Sequence, residues 1–128
     1  MKLNPDCIRD LLIEIEERIP DIHSEIIFYT DADETGRLAK YSFPEIEYHL
    51  NQCNLSGYIA SYKTDIVNNI YVGYLSPAGH QFLADIRSDN VWNHTKTIAG
   101  KIGSFSLDVL SKIAVGVVTE LIKKQLAS

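Results

Sequence analysis

The stretch from residue 42 to residue 86 constrains the fold most strongly, because turn signals divide it into helix-like and strand-like segments. Its first four residues, Ser-Phe-Pro-Glu at positions 42–45, form an N-terminal helix signature in which serine caps, proline is tolerated and glutamate reaches back to the cap. Apolar residues then recur at helical spacing, at Ile46, Leu50 and Cys53. Because Gly57 is a typical stop signal, the pattern predicts a helix from residue 43 to about residue 54.

Two segments that alternate in polarity follow this helix, at residues 58–63 and 70–75. The polar residues Asp65, Asn68 and Asn69 indicate a turn between them, so the two segments are predicted to form a β-hairpin. Ser-Pro-Ala-Gly at residues 76–79 then begins another helix, whose apolar face carries Phe82, Leu83 and Ile86. Helix, hairpin and helix in this order are typical of the end of a winged-helix domain that carries an added last helix.

The preceding segment supplies the remaining elements of such a domain. Asn4 can cap a first helix that Pro20 ends. Its apolar stripe is formed by Cys7, Ile8, Leu11, Leu12, Ile15 and Ile19. Residues 25–29 form a short β-like segment, and residues 37–41 suit either a return strand or a short helix. We therefore predict an α+β, winged-helix-like domain over residues 1–88 and a C-terminal helical extension over residues 89–128.

The extension contains two helix-like segments. Asp89 is the expected cap of the first, and Ser104 or Ser106 is expected to begin the second. A heptad-like apolar seam follows, at Leu107, Leu110, Ala114, Val117 and Leu121. We expect Leu107, Leu110, Val117 and Leu121 to face a second copy in a homodimer. The competing interpretation is that this helix folds back on its own domain.

The composition and charge distribution of the chain limit its possible binding partners and its location in the cell. Residues 1–50 hold 12 acidic and 5 basic residues, whereas residues 51–128 hold 5 acidic and 7 basic ones. The acidic half argues against general coating of nucleic acid, which needs concentrated lysine and arginine. The sequence contains neither a long apolar run nor a secretory signal, so we expect a cytoplasmic protein without a membrane span. The two cysteines, Cys7 and Cys53, favour buried free thiols over a disulfide.

Candidate chemical sites are few. His49 and Cys53 are four residues apart, but the other histidines are not spaced to complete a metal site, so a packed histidine beside a core cysteine is favoured. Asp31, Asp33 and Glu34 do not match a calcium loop and indicate an exposed loop. Because neither a nucleophile motif nor a paired acid–base motif is present, we predict no enzyme activity, no cofactor and no metal.

Four segments together resemble a known family: MKLNPDCIRD at residues 1–10, EIEYHL at 45–50, LSPAGHQFL at 75–83 and IRSDNVW at 86–92. They are similar to domain of unknown function 2513, a family of small bacterial and prophage proteins, over residues 1–110. The resemblance implies a winged-helix-like fold and a phage or mobile-element setting. It implies no catalytic residues.

Two functional hypotheses follow. The first is a non-enzymatic winged-helix adaptor or transcription regulator of prophage type. If it contacts DNA, the best candidate residues are Asn51, Gln52, Lys63 and Asn69. The second is an acidic protein-binding module that masks a host or phage protein without contacting DNA. Its candidate acidic residues are Glu14, Glu17, Asp31, Asp33 and Glu34.

Overall fold

A computed structural model describes residues 1–127 and has an α+β architecture, as predicted. The helices are α1 (Pro5–Arg18), α2 (Phe43–Leu55), α3 (Pro77–Ile86), α4 (Asp89–Ile102) and α5 (Leu107–Ala127). The strands are β1 (Ile26–Phe28), β2 (Tyr62–Thr64) and β3 (Ile70–Val72), with a 3₁₀ turn at Gly36–Leu38. The chain divides into two compact units, Met1–His80 and the part from Gln81 onward. The assignment of residues 81–88 to the first domain stays a prediction.

The first two helices begin where the sequence places them. Asn4 Oδ1 accepts a hydrogen bond from the Asp6 N–H at 3.0 Å, which caps α1. At α2, Ser42 Oγ accepts from the Glu45 N–H at 3.3 Å, and Glu45 Oε1 accepts from the Ser42 N–H at 3.2 Å. Both halves of the predicted capping box are therefore present.

The strands form an antiparallel sheet in the order β1-β3-β2, so β3 is central and β2 lies at one edge. Val72 of β3 lies opposite Ile26 of β1 and Tyr62 of β2. The predicted hairpin strands at 58–63 and 70–75 were too long. Beyond the regular ladder the two segments meet at an isolated bridge between Ile59 and Leu75. Between these two regions the Gly73 N–H donates to the Ser61 carbonyl oxygen at 3.0 Å, so the segments stay paired there as well.

The core of the first unit joins α1 and α2 to one face of the sheet. It contains Cys7, Ile8, Leu11, Leu12, Ile15, Ile26, Phe28, Leu38, Ile46, Leu50, Cys53, Ile70 and Val72. The two cysteines are free and buried, as predicted. Burial raises the pKa of Cys7 and of Cys53 to about 12, so both thiols stay protonated and act as small apolar groups.

The second unit is built around the packing of α4 against α5. Ser88, rather than the expected Asp89, caps α4: its Oγ accepts from the Val91 N–H at 3.1 Å. Asp89 is instead the first helical residue, where its carboxylate faces the positive end of the helix. Ser106 Oγ accepts from the Val109 N–H at 3.2 Å, which selects Ser106 over Ser104 at the start of α5. Within residues 1–127 we find no helix with both the length and the apolar character that crossing a bilayer requires.

Candidate binding surface

A polar groove lies between helix α2 and edge strand β2 in the first unit. It has a volume of about 580 Å³. Its lining residues are Met1, Pro44, Glu47, Tyr48, Asn51, Tyr62 and Thr64. The groove exists because the outward face of α2 and a half-buried strand residue, Tyr62, lie side by side. We call it the α2–β2 groove.

A buried histidine holds the α2 wall of this groove in place. His49 is 1% exposed, and its Nε2 accepts a hydrogen bond from the Asn4 N–H at 2.7 Å. Its Nδ1 lies 2.7 Å from the Glu45 carbonyl oxygen, to which it donates. A ring that accepts at one nitrogen and donates at the other is a neutral imidazole. His49 therefore connects the start of α1 to α2, and the predicted packed histidine beside a buried Cys53 is confirmed.

The neighbouring tyrosines give the groove its chemical character. The Tyr48 ring meets the His49 ring edge-on, with centroids 5.0 Å apart and planes at 83°. Burial, together with the negative charge of Glu47, raises the pKa of Tyr62, so its hydroxyl remains a neutral donor and acceptor. Two phenols, one amide and one carboxylate can bind peptide groups and a basic side chain. The sequence placed Tyr62 in a predicted hairpin strand, at residues 58–63, and gave no signal that it faces α2.

The four predicted DNA contacts occupy different environments. Asn51 lines the α2–β2 groove, and Gln52 follows it on α2, where both are half-buried. Lys63 is exposed on β2, and its Nζ lies 3.4 Å from Glu25 Oε2. Asn69 lies in the turn between β2 and β3.

The amide of Asn69 is used to hold the hairpin turn. Its Oδ1 accepts from the Thr30 N–H at 3.0 Å, and its Nδ2 donates to Asp65 Oδ2 at 3.0 Å. The Asp65 carboxylate also accepts from the Val67 N–H and from the Tyr71 hydroxyl, each at 3.0 Å. Burial acts to raise the pKa of Asp65, but these hydrogen bonds outweigh it and hold that pKa below its ordinary value. The sequence placed Asp65 in the turn but did not indicate that its carboxylate organises it, although an aspartate whose side chain accepts from the amide two residues later is a known turn signal.

The acidic face of α1 is partly neutralised by arginines. Arg37 Nη1 lies 2.8 Å from Glu14 Oε1 and 3.1 Å from Glu17 Oε2. Arg18 Nη1 lies 3.3 Å from Glu34 Oε1. Hydrogen bonding to Glu17 and the nearby carboxylates raise the pKa of Arg37. Of the five acids proposed for a masking surface, three are therefore ion-paired.

The acidic loop keeps two exposed carboxylates, Asp31 and Asp33. Among residues 1–127 no group of three or more histidine, cysteine or acidic side chains is placed to hold a metal ion.

The residues predicted for self-association fall into two groups. Leu107 and Leu110 are buried within the fold, at 7% and 0% exposure. Val117 and Leu121 are half-buried and line a groove of about 390 Å³ beside α4. The predicted seam therefore packs at least partly against α4 of the same chain. Both its contact with a second copy and its folding back on the winged-helix-like domain stay predictions.

These features define a small α+β protein with a polar groove between a helix and an edge strand. The chain belongs to the family described as Hypothetical protein (DUF2513), whose model matches residues 2–106. A protein of Haemophilus influenzae described as "Uncharacterized protein" is 26% identical over 130 residues, which cover 95% of this chain and 99% of that relative. The resemblance noted in the sequence is thus confirmed at the level of the family. No solved structure matches the chain.

Proposed function

We propose that the first unit is a winged-helix-like domain that acts as a non-enzymatic adaptor in the bacterial cytoplasm. The adaptor is encoded by the bacterium or by a prophage that it carries. The order of helix, strand, short turn, helix and two strands, with the sheet order β1-β3-β2, supports this assignment. In this assignment α2 of this chain is the recognition helix and the β2–β3 hairpin is the wing. The 3₁₀ turn at Gly36–Leu38 occupies the place of the usual second helix.

The observation that carries the function is the chemistry of the α2–β2 groove. Helix α2 contains Glu45 and Glu47 but no lysine or arginine. A recognition helix with this charge repels phosphate, whereas phenol rings beside a carboxylate suit a polypeptide with basic side chains. The adaptor therefore binds a host or phage protein through this groove. Tyr48 and Tyr62 serve as anchors, and Glu47 selects a cation.

Comparative affinity purification from the native host tests the adaptor function. The full chain, a Tyr48→Ala, Glu47→Lys variant and an Asp108→Lys control are each used as bait. The control makes a matched charge change on α5, where Asp108 is exposed. Proteins enriched by the parent and the control but lost with the groove variant are the expected result. If the groove variant retains the same proteins as the parent, the groove is not the binding surface.

DNA binding is the second candidate function, because Asn51 and Gln52 lie on the helix that a winged helix inserts into the major groove. Fluorescence polarisation with duplex DNA from the chain's own operon and with a scrambled duplex, at low and high salt, separates the two functions. The adaptor function predicts no sequence preference. A sequence preference that Asn51→Ala abolishes, with affinity that falls steeply with salt, would favour a transcription regulator instead.

A further inference from the structure

The pairing of β2 with β3 determines which backbone groups of β2 point away from the sheet. At one end of the ladder the Gly73 N–H donates to the Ser61 carbonyl oxygen at 3.0 Å, and at the other the Asp65 N–H donates to the Asn69 carbonyl oxygen at 3.2 Å. Residues along an antiparallel strand direct their backbone groups alternately towards and away from the neighbouring strand. The odd-numbered residues of the segment 61–65 therefore bond to β3, and the two even-numbered residues face outward.

These two residues are Tyr62 and Thr64, and we call their N–H and C=O groups the β2 edge. Because β2 is the last strand of the sheet, these four groups have no hydrogen-bond partner within residues 1–127. The side chains of the same two residues line the α2–β2 groove. The unpaired backbone groups and the groove are thus parts of one continuous surface. A further strand would lie about 4.8 Å from β2 and would direct every second side chain into the groove.

The charge on β2 does not block this surface. A lysine on an edge strand commonly hinders the pairing of another strand. Lys63, however, points to the face of the sheet opposite Tyr62 and Thr64, since successive side chains of a strand alternate. Its Nζ lies 3.4 Å from Glu25 Oε2, which balances its charge on that face. The groove side of the edge is therefore open to a second polypeptide.

The groove itself selects a positively charged side chain. Glu47 is half-buried in its α2 wall, has no ion pair within residues 1–127, and lies near enough to Tyr62 for its charge to raise the pKa of that hydroxyl. The lining residues include no lysine, arginine or histidine side chain. A second copy of this chain is a poor occupant, because pairing along the whole of β2 would place Lys63 opposite Lys63. The charges thus favour a strand from a different protein.

We propose that the partner of the adaptor contributes an extended segment, which pairs with the β2 edge as a fourth strand and places a lysine or arginine side chain in the α2–β2 groove opposite Glu47. This inference rests on the adaptor function and specifies the form of its ligand. Main-chain hydrogen bonds to Tyr62 and Thr64 supply affinity, and the groove supplies selectivity, as in other cases of strand addition. The sheet order becomes β1-β3-β2 followed by the partner's strand.

Hydrogen exchange measured by NMR on the full chain first tests whether the β2 edge is open. The Tyr62 and Thr64 amides should exchange at least tenfold faster than the Lys63 amide, which faces β3. Equally slow exchange at all three amides would show that the edge is already covered and would overturn the proposal. If that protection increases with protein concentration, the occupant is a second copy.

A library of random linear peptides of about ten residues, displayed on yeast, supplies the probe for binding. Cells that bind the full chain but not its Glu47→Lys variant are collected, and the strongest binder is synthesised. We expect this peptide to contain a lysine or arginine whose replacement by glutamate lowers affinity at least tenfold. The bound peptide should also slow exchange at the Tyr62 and Thr64 amides. Unchanged exchange at both amides would refute strand addition.

N-methylation of the peptide, one position at a time, tests the backbone pairing directly. A fourth strand donates hydrogen bonds to β2 from alternate residues only. We therefore expect at least tenfold losses of affinity at every second position of the paired segment and small losses at the positions between them. Losses without this alternation would mean that the peptide occupies the groove in another conformation, and strand addition would be wrong.

A variant of the chain tests the same bonds from the other side. Thr64→Pro removes an N–H that faces the peptide and is not used in the ladder with β3, so an edge strand tolerates it. Thr64→Val keeps the N–H and nearly the same shape. The proline variant should lose at least tenfold more affinity than the valine variant, with circular dichroism unchanged in both. Equal affinities would refute the proposal, and if the proline variant misfolds, the N-methylation result decides.

The affinity purification from the native host separates this proposal from the adaptor function. If it recovers proteins that depend on the groove while the library yields no peptide that depends on Glu47, the adaptor function stands and strand addition is wrong. If peptides pair with the β2 edge but the host yields no protein that depends on the groove, the strand site stands and the adaptor function is wrong.

Discussion

Helices α1 and α5 both carry apolar residues at three- and four-residue spacing, yet they end in different environments. Helix α1 has 14 residues and buries five of them completely, including Leu11 and Ile15. Helix α5 has 21 residues and buries three. The difference lies in what surrounds each helix, because α1 packs against α2 and the Gly36–Leu38 turn, whereas the contacts of α5 are chiefly with α4.

The polar faces of the two helices differ in the same way. The carboxylates of α1 reach arginines of other elements, such as the Glu14–Arg37 pair at 2.8 Å. The ion pairs recorded on α5 join residues of that helix, as in Lys112–Asp108 at 2.9 Å. Ion pairs with other elements help to fix the position of α1 within the fold. Ion pairs between residues of one helix stabilise that helix but do not fix its position. An apolar stripe therefore predicts a helix, but its partner has to be learned from the structure.

The largest expected effect on stability comes from the buried side of α1. Leu11→Ala removes a fully buried side chain from α1 and should lower the free energy of unfolding by about 2–5 kcal/mol. Leu126→Ala, on the exposed end of α5, makes the same chemical change and should alter it by less than about 0.5 kcal/mol at a concentration where the chain is monomeric. Urea denaturation followed by circular dichroism measures both. Equal losses would mean that α5 is as firmly packed as α1.

The next effect concerns the polar link between α1 and α2. His49→Leu fills the space of the ring with an apolar side chain but removes the acceptor for the Asn4 N–H. This loss should lower the free energy of unfolding by about 1–3 kcal/mol. The exposed His80→Leu is the control and should change stability little. Thermal and urea unfolding of the two variants measure the difference. A His49→Leu chain as stable as the parent would show that the hydrogen bond does not hold α1 in place.

A smaller, opposite effect is expected in the second unit. Among the described residues, the buried side-chain polar atom without a hydrogen-bond partner is Thr95 Oγ1, on α4. Thr95→Val replaces it by a methyl group of the same shape and should raise the free energy of unfolding by about 1 kcal/mol. Thr97→Val on the same helix is the control, because the Thr97 hydroxyl is exposed and donates to the Asn93 carbonyl oxygen at 2.9 Å. Loss of stability in Thr95→Val would mean that the hydroxyl is satisfied in solution.

Local features of the fold were predictable from the sequence, and features that join distant residues were not. The caps at Asn4 and Ser42 follow from residue types within four positions of each helix start. The hairpin strands were predicted too long, because alternating polarity does not show which residues pair, and the regular ladder joins Tyr62–Thr64 to Ile70–Val72.

The candidate site shows the same limit. The sequence predicted Asn51 as a contact residue within the helix from residue 43 to about residue 54, and it lines the groove. Tyr62 joins the groove from a strand 11 positions later, and His49 bonds to a residue 45 positions away. Helix and strand periodicities relate residues only a few positions apart, so they cannot predict contacts over these sequence separations.

The smallest expected effect is local and depends on pH. Hydrogen bonds from Asn69, Tyr71 and Val67 outweigh burial and lower the pKa of Asp65 in the folded chain. A group of this kind contributes stability above its unfolded pKa, and that contribution is lost as the pH falls through the lower folded pKa. The hairpin turn should therefore loosen below about pH 3.9, the ordinary value for aspartate, before the α4–α5 pair responds.

Amide chemical shifts and hydrogen exchange measured by NMR between neutral and acid pH follow this loosening. The Val67 and Asn69 amides, which donate to Asp65, should shift together, whereas amides in the middle of α4 should not. Asp65→Asn should abolish the transition at these two amides, and Asp31→Asn in the neighbouring acidic loop should leave it intact. If Asp65→Asn keeps the same transition, another carboxylate controls the turn, and the hydrogen bonds to Asp65 are not the cause of its acid sensitivity.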